Sequence, residues 1–417
     1  MKYGSIFLAC VLWLLVYADL NAADFEVGVC THAYRHGYEK EALQKALGDL
    51  GVSSFRDAIS WEFVEKQKGE YAIPANYELT DSMLLGARSR GLNPLLILDY
   101  GNPIYESDGL VLTDEARAGF ANYAAWMVRR YKGSVRYYEI WNEWYLGAGS
   151  KSNPRTIPSV SAYVALLKVV YPIIKRIDPG AVVLAGGTGD HRTDWYQEFA
   201  RLGGLEYVDG VSVHPYVSGV GGGRNTPEAS LAWVDEVHSA LMSTEGKAKD
   251  IYVSEVGWPA HDKGYSDEVV AAYLARYELL ARTKTYIGGV WWYDLYDDGP
   301  DPANREYRFG LLTEDGREKP AFKAMQSSNR MLQGVTKAWL DKEGPVIEVA
   351  AQGPGGKRRV FSWTPSAIPG RKTPLVDYIG GGETLFGEYD GSIPRLSNRA
   401  QFDLVAPKVP FPVMLSP

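Results

Sequence analysis

The chain has almost no cysteine: Cys10 and Cys30 are the only two in 417 residues. If the first 22 residues are removed, Cys30 stands alone and no internal disulfide can form. A positive excess is missing as well. With 44 Lys and Arg against 51 Asp and Glu, the net charge is -7, and no basic face is on offer to a nucleic acid. Histidine is scarce, six in all, and none shows metal-site spacing, so neither a catalytic metal nor another cofactor is expected. No Lys-Ser/Thr follows the Gly219–Gly223 run, which therefore reads as a loop rather than a phosphate cradle. No internal repeat of solenoid spacing is present.

Long apolar runs are confined to Ile6–Tyr17, which follows Lys2 and precedes Leu20-Asn21-Ala22. That is the order of a secretory signal spanning residues 1–22, cut after Ala22. The run falls short of the roughly 20 residues a bilayer span needs. The expectation is a secreted or periplasmic monomer, tied to a membrane only if the segment is retained.

Aromatics, by contrast, are abundant, with 28 Tyr and 12 Trp. From Phe25 to about Leu332, apolar strand candidates alternate with stretches of helical period. The strands are Phe25–Thr31, Ser53–Ile59, Leu95–Tyr100, Tyr137–Trp141, Ala181–Ala185, Gly210–Val213, Ile251–Glu255 and Gly289–Tyr293. Eight strands with about as many helices is the count of a (β/α)8 TIM barrel, an α/β fold over residues 23–332. The competing open doubly wound sheet would want a glycine-rich turn after its first strand, and His32-Ala33-Tyr34-Arg35-His36 is none. Beyond Leu332 short alternating runs (346–349, 359–363, 384–389, 401–405) separated by Gly/Pro turns predict a small C-terminal β-sandwich over residues 333–417.

In a (β/α)8 barrel, chemistry sits where the strands end. Those ends carry His32, Arg56, Asp57, Asp99, Asn102, Asn142, Glu143, His214, Tyr216, Glu255, Trp258 and Trp292, while the strand starts carry almost nothing polar. Glu143 and Glu255 end the fourth and seventh strands, so their side chains can converge across a narrow mouth. A pair of carboxyls is what glycosidic cleavage requires: one acid for the leaving oxygen, one carboxylate behind the anomeric carbon. A nucleophile must stay ionised and wants a permanent cation and donors, which Arg56 and Tyr216 could supply to Glu255. The anion of Glu255 would in turn raise the proton affinity of Glu143.

Trp141-Asn142-Glu143, His214-Pro215-Tyr216 and Ser254-Glu255, with Arg56 and Trp292 in barrel order, resemble clan A glycoside hydrolases. Within the clan the chain is most similar to family 39, and there to secreted endoglycosidases linked to bacterial exopolysaccharide synthesis. The resemblance implies a retaining mechanism with Glu143 as acid/base and Glu255 as nucleophile. It further implies Asn142 on the sugar 2-hydroxyl and Trp292 flooring the subsite before the cleaved bond. Trp144 stands where a proline often follows the glutamate, which puts the substrate class in doubt. Substrate contacts are also expected from His32, Asp99, His214, Trp144 and Trp258. Trp61, Tyr100, Tyr105, Trp144, Trp258 and Tyr296, on or just after strand ends, suggest an open groove for a neutral polysaccharide cut in mid-chain. The alternatives are an exo-acting glycosidase of the same clan, such as a β-xylosidase, a β-glucan or mannan hydrolase, and a non-catalytic carbohydrate-binding barrel.

Overall fold

A computed structural model describes residues 25–363, apart from 37, 190, 220–224, 247 and 344–346, and residues 413–415. Eight parallel strands form its centre: β1 Glu26–Cys30, β2 Ser54–Ala58, β3 Leu95–Leu98, β4 Tyr137–Ile140, β5 Val182–Thr188, β6 Gly210–Val213, β7 Asp250–Val256 and β8 Ile287–Trp292. They close in the order β1-β8-β7-β6-β5-β4-β3-β2, with Val29 beside Trp292 sealing the ring. The predicted barrel is therefore the observed one.

The helices outside it are α1 Lys40–Leu50, α2 Glu78–Gly86, α3 Asp114–Tyr131, α4 Val160–Ile177, α5 Thr193–Arg201, α6 Pro227–Glu245, α7 Asp267–Ala281 and α8 Pro320–Leu332. Several start on a hydroxyl cap: Thr113, Ser159, Thr226 and Ser266 each accept from the backbone N–H three residues on. Such a cap satisfies one of the orphan donors of a first turn. Helix α5 carries no aliphatic run that would mark it in the sequence. It is one of the two shortest, and its buried stripe is aromatic (Trp195, Tyr196, Phe199) rather than aliphatic.

Alternation along each strand divides its side chains between lumen and helix layer. Cys30, Ala58, Leu95, Ile97, Tyr137, Leu184, Tyr252 and Trp291 fill the lumen. Their neighbours Val29, Leu96, Leu98, Tyr138, Ile140 and Val183 pack outward among the helices. Each fully buried aliphatic of this kind contributes about 1.5–3 kcal/mol. The lumen floor is more polar than the sequence reading expects. Glu26, at the start of β1, accepts from Ser53 Oγ (2.5 Å), Asn93 Nδ2 (2.8 Å) and Tyr137 Oη (3.1 Å). Burial raises its carboxyl, and these donors only partly offset that.

Beyond α8, β9 Lys337–Lys342, β10 Ile347–Gln352, β11 Arg358–Trp363 and β12 Val413–Leu415 form one antiparallel sheet in that order. Trp363 Nε1 donates to Glu228 Oε1 at the start of α6 (2.8 Å), and Arg359 donates to the Met331 carbonyl (2.7 Å), so the sheet is docked on the barrel. The runs at 384–389 and 401–405, and the apolar N-terminal run, lie outside the described residues. Among the described residues no helix is long and apolar enough to cross a membrane.

Candidate active site

Strand β4 ends in two left-handed residues, Trp141 (φ 70) and Glu143 (φ 50), bracketing Asn142. Non-glycine residues there cost about 1–3 kcal/mol each, a cost that surrounding structure must over-determine. Trp141 is held by its N–H on the Leu98 carbonyl (3.0 Å) and its indole on the Ala148 carbonyl (2.9 Å). The reversal places Glu143 at the barrel mouth with 23% of its side chain exposed. Space for it comes from β5: a Cβ on Gly189 would stand 2.8 Å from Glu143 Oε1.

Arg56, buried on β2, organises the rest. Its Nε donates to Glu139 Oε2 (2.8 Å), one NH to Glu255 Oε1 (2.6 Å) and the other to Asn142 Oδ1 (2.9 Å). Asn142 Nδ2 then donates to Tyr100 Oη (3.2 Å). Glu255, at the end of β7, accepts a second bond on Oε2 from Tyr216 (3.0 Å). Burial alone would raise the Glu255 carboxyl. The His214 charge, the Arg56 guanidinium and the Tyr216 hydroxyl outweigh it and hold the group at about 2. Such a carboxylate stays ionised at any ordinary pH.

His214 is fully buried between the two glutamates. Its Nδ1 lies 3.2 Å from Glu143 Oε1 and 3.7 Å from Glu255 Oε2. Desolvation works against its charged form, but the charge on Glu255 and the bond to Glu143 prevail and raise its pKa. The converging atoms of Glu143, His214 and Glu255 all lie within 4.8 Å of one another. Seven of the eleven residues proposed from sequence (Arg56, Asn142, Glu143, His214, Tyr216, Glu255 and, at the rim, His32) thus meet in one mouth. His32 Nδ1 sits 2.8 Å from Asp294 Oδ2, and its ring meets Tyr293 edge-on at 5.4 Å. Asp99 lies deeper, bonded by Ser60 Oγ (3.2 Å), and burial pushes its carboxyl up to about 7.

The three tryptophans are elsewhere. Trp144 and Trp258 are fully buried, with their indoles on the Ser159 and Asn225 carbonyls. Trp144 packs on Trp141 and Tyr163, and Trp258 on Trp292 and Tyr273. Trp292 is 1% exposed and also faces the helix layer. The reason is parity: on β8, Trp291 points into the lumen, Trp292 outward and Tyr293 back toward the mouth. A ring with no exposed face has none to offer a sugar. Tyr293, half-buried against His32, Tyr216 and Phe309, is the aromatic of β8 at the site. Trp61 and Tyr296 are buried too.

Sequence reasoning also gave no role to Glu139 and Ser254. Both are wholly buried on lumen parity, two residues beyond Tyr137 and Tyr252. A carboxylate on the inward face of a closed barrel must be paired, and that was the available signal. Two sets of side chains reach metal-ligand spacing among the described residues, Glu143–His214–Glu255 and His32–Asp294–Asp298. Arg56 at 2.6 Å from Glu255 disfavours a second cation in the first, and Arg35 faces Asp298 at 3.7 Å in the second.

A closed (β/α)8 barrel with one partly exposed glutamate ending β4 and one arginine-held glutamate ending β7 is the construction of a clan A glycoside hydrolase. The cellulase family (glycosyl hydrolase family 5) matches residues 19–294, and the chain belongs to that family. Its structure is also similar to a family 39 glycoside hydrolase from the gut symbiont Bacteroides cellulosilyticus, at 27% identity and a TM-score of 0.67 over 82% of this chain and 71% of that one. A monomeric β-xylosidase from Caulobacter crescentus shares the fold at 20% identity and TM-score 0.59 over 84% and 77%. A family 5 subfamily 18 enzyme from Streptomyces cattleya, in complex with GlcNAc, does so at 20% and 0.59 over 73% and 80%. No curated protein matches the chain.

Proposed function

We propose that this glycoside hydrolase acts with retention of anomeric configuration, Glu255 as nucleophile and Glu143 as acid/base. The observation that carries this is the convergence of carboxyl oxygens within 4.8 Å, close to the ~5–5.5 Å separation of retaining pairs and short of the ~6.5–9.5 Å that admits a water. Arg56 and Tyr216 hold Glu255 ionised for attack on the anomeric carbon. Glu143 protonates the leaving oxygen, whose bond to that carbon breaks with the electron pair going to oxygen. In the second half, water gives a proton to Glu143 and its oxygen to the anomeric carbon, and the Glu255 ester is released as carboxylate.

The substrate we propose is a polysaccharide cut in mid-chain, an exopolysaccharide, outside the cell. The support is narrower than a row of tryptophans. It consists of the partly exposed Tyr34, Phe63 and Tyr100 beyond β1–β3 and Tyr216 and Tyr293 opposite, each ring face contributing on the order of 1 kcal/mol to a sugar contact. Viscosity and reducing ends followed together on a panel of exopolysaccharides, β-glucan, xylan and mannan test it. Viscosity should fall well before reducing ends accumulate. Monosaccharide as first product would give the exo-acting reading, which the β-xylosidase neighbour favours.

A further inference from the structure

We infer that Ser254 and Glu139 are positioning residues that fix the tautomer of His214, leaving a lone pair on Nδ1 aimed at Glu143. The inference rests on the roles just proposed for the two catalytic glutamates. It starts from a count of protons. Glu139 Oε2 accepts from Arg56 Nε (2.8 Å), and Ser254 Oγ lies 2.8 Å from Glu139 Oε1. An ionised carboxylate only accepts, so the single hydroxyl proton of Ser254 goes to Glu139. Ser254 Oγ is also 3.0 Å from His214 Nε2. Having given its proton away, it can only accept there, and Nε2 must carry a hydrogen. Neutral His214 is then unprotonated at Nδ1, 3.2 Å from Glu143 Oε1.

The groups facing His214 complete the arrangement. From β4 come Glu139 (4.0 Å) and Glu143, and from β7 Glu255 (3.7 Å). Arg56 on β2 opposes its charging. From β5, Gly187 packs on the ring, and a Cβ there would stand 3.4 Å from Nε2. One proton therefore rests between Glu143 Oε1 and Nδ1. When Glu143 has passed it to the leaving oxygen, an anion and a lone pair face each other. That repulsion strengthens Glu143 as the base that takes the proton of water. The other tautomer, with hydrogen on Nδ1, would instead stabilise ionised Glu143, leaving less of it protonated to serve the leaving oxygen and weakening it as a base.

The direct test is the wild-type enzyme observed by long-range proton–nitrogen NMR of His214 across pH. Nε2 should stay in the protonated range throughout while Nδ1 alone titrates. An Nε2 carrying the lone pair would overturn the inference and leave the hydrolase reading untouched. Absence of hydrolysis on every substrate would do the reverse. The companion test is Ser254→Ala with Ser254→Thr as its conservative partner. In Ser254→Ala the alkaline limb of kcat/KM should move down by about one pH unit. The loss should be greater for a poor leaving group than for a dinitrophenyl glycoside, and Ser254→Thr should restore the profile. An unmoved limb with equal losses on both substrates would reduce Ser254 to packing and overturn the inference.

Discussion

Replacing Arg56 by Met removes three donors and one buried charge while roughly keeping the side-chain length. The consequences can be sized. Glu255 is held at about 2 against an ordinary 4.5, a net preference of roughly 3 kcal/mol for its ionised form. Because this folded-state pKa is depressed, the associated stability is present above 4.5 and is lost as pH falls through about 2. Without Arg56, burial is opposed at Glu255 only by His214, Tyr216 and the more distant His32, and the carboxyl rises. Breaking a buried pair from one side costs about 3–5 kcal/mol. The Met variant should therefore lose that much in urea unfolding at pH near 7.5. The loss should shrink toward pH ~4.5 as the stranded carboxylate of Glu255 takes up a proton. Its kcat/KM profile should show an acid limb at about pH 4 or above, where the wild type has none in the working range. Equal destabilisation at both pH values, together with an unmoved acid limb, would refute the reasoning.

Glu255→Gln should abolish turnover on every substrate, whereas Glu143→Gln should keep much of it on dinitrophenyl glycosides and respond to azide. Steady-state rates with and without azide check this. Asp99→Asn should stabilise the fold increasingly as pH rises from about 4 to about 7, where the unfolded chain ionises Asp99 and the buried carboxyl does not, and by a constant amount above that. The gain is bounded by about 4 kcal/mol, and thermal unfolding at pH ~5 and ~9 reads it. Gly189→Ala would crowd Glu143 Oε1 and Tyr145 Oη. It should lower kcat about 10–100-fold with little change in melting temperature.

The barrel was legible because two-faced burial leaves each strand an apolar run closed by polar residues, and eight such runs admit few folds. Glu143, Glu255, Arg56 and His214 were legible because polar groups at strand ends have no structural reason to be there. The tryptophans misled because proximity in sequence says nothing about direction. Trp292 and Tyr293 differ by one residue, and that single step separates the helix layer from the mouth. The roles of Glu139 and Ser254 were missed because these residues sit inside the strands, where an apolar count treats a polar residue as an interruption. Glu26 escaped at the other end of the barrel for the same reason. Helix α5 hid because it is only nine residues long and its buried stripe is aromatic, with no aliphatic run to mark it.

The central claim is that Glu255 attacks the anomeric carbon and Glu143 serves both half-reactions. Proton NMR of the first-formed sugar, recorded before mutarotation on whichever substrate the panel returns, tests it most directly. Retention requires the product anomer to match the configuration of the bond that was cut. A first-formed anomer of opposite configuration would mean a single displacement by water, and would contradict Glu255 as nucleophile with Glu143 as acid/base.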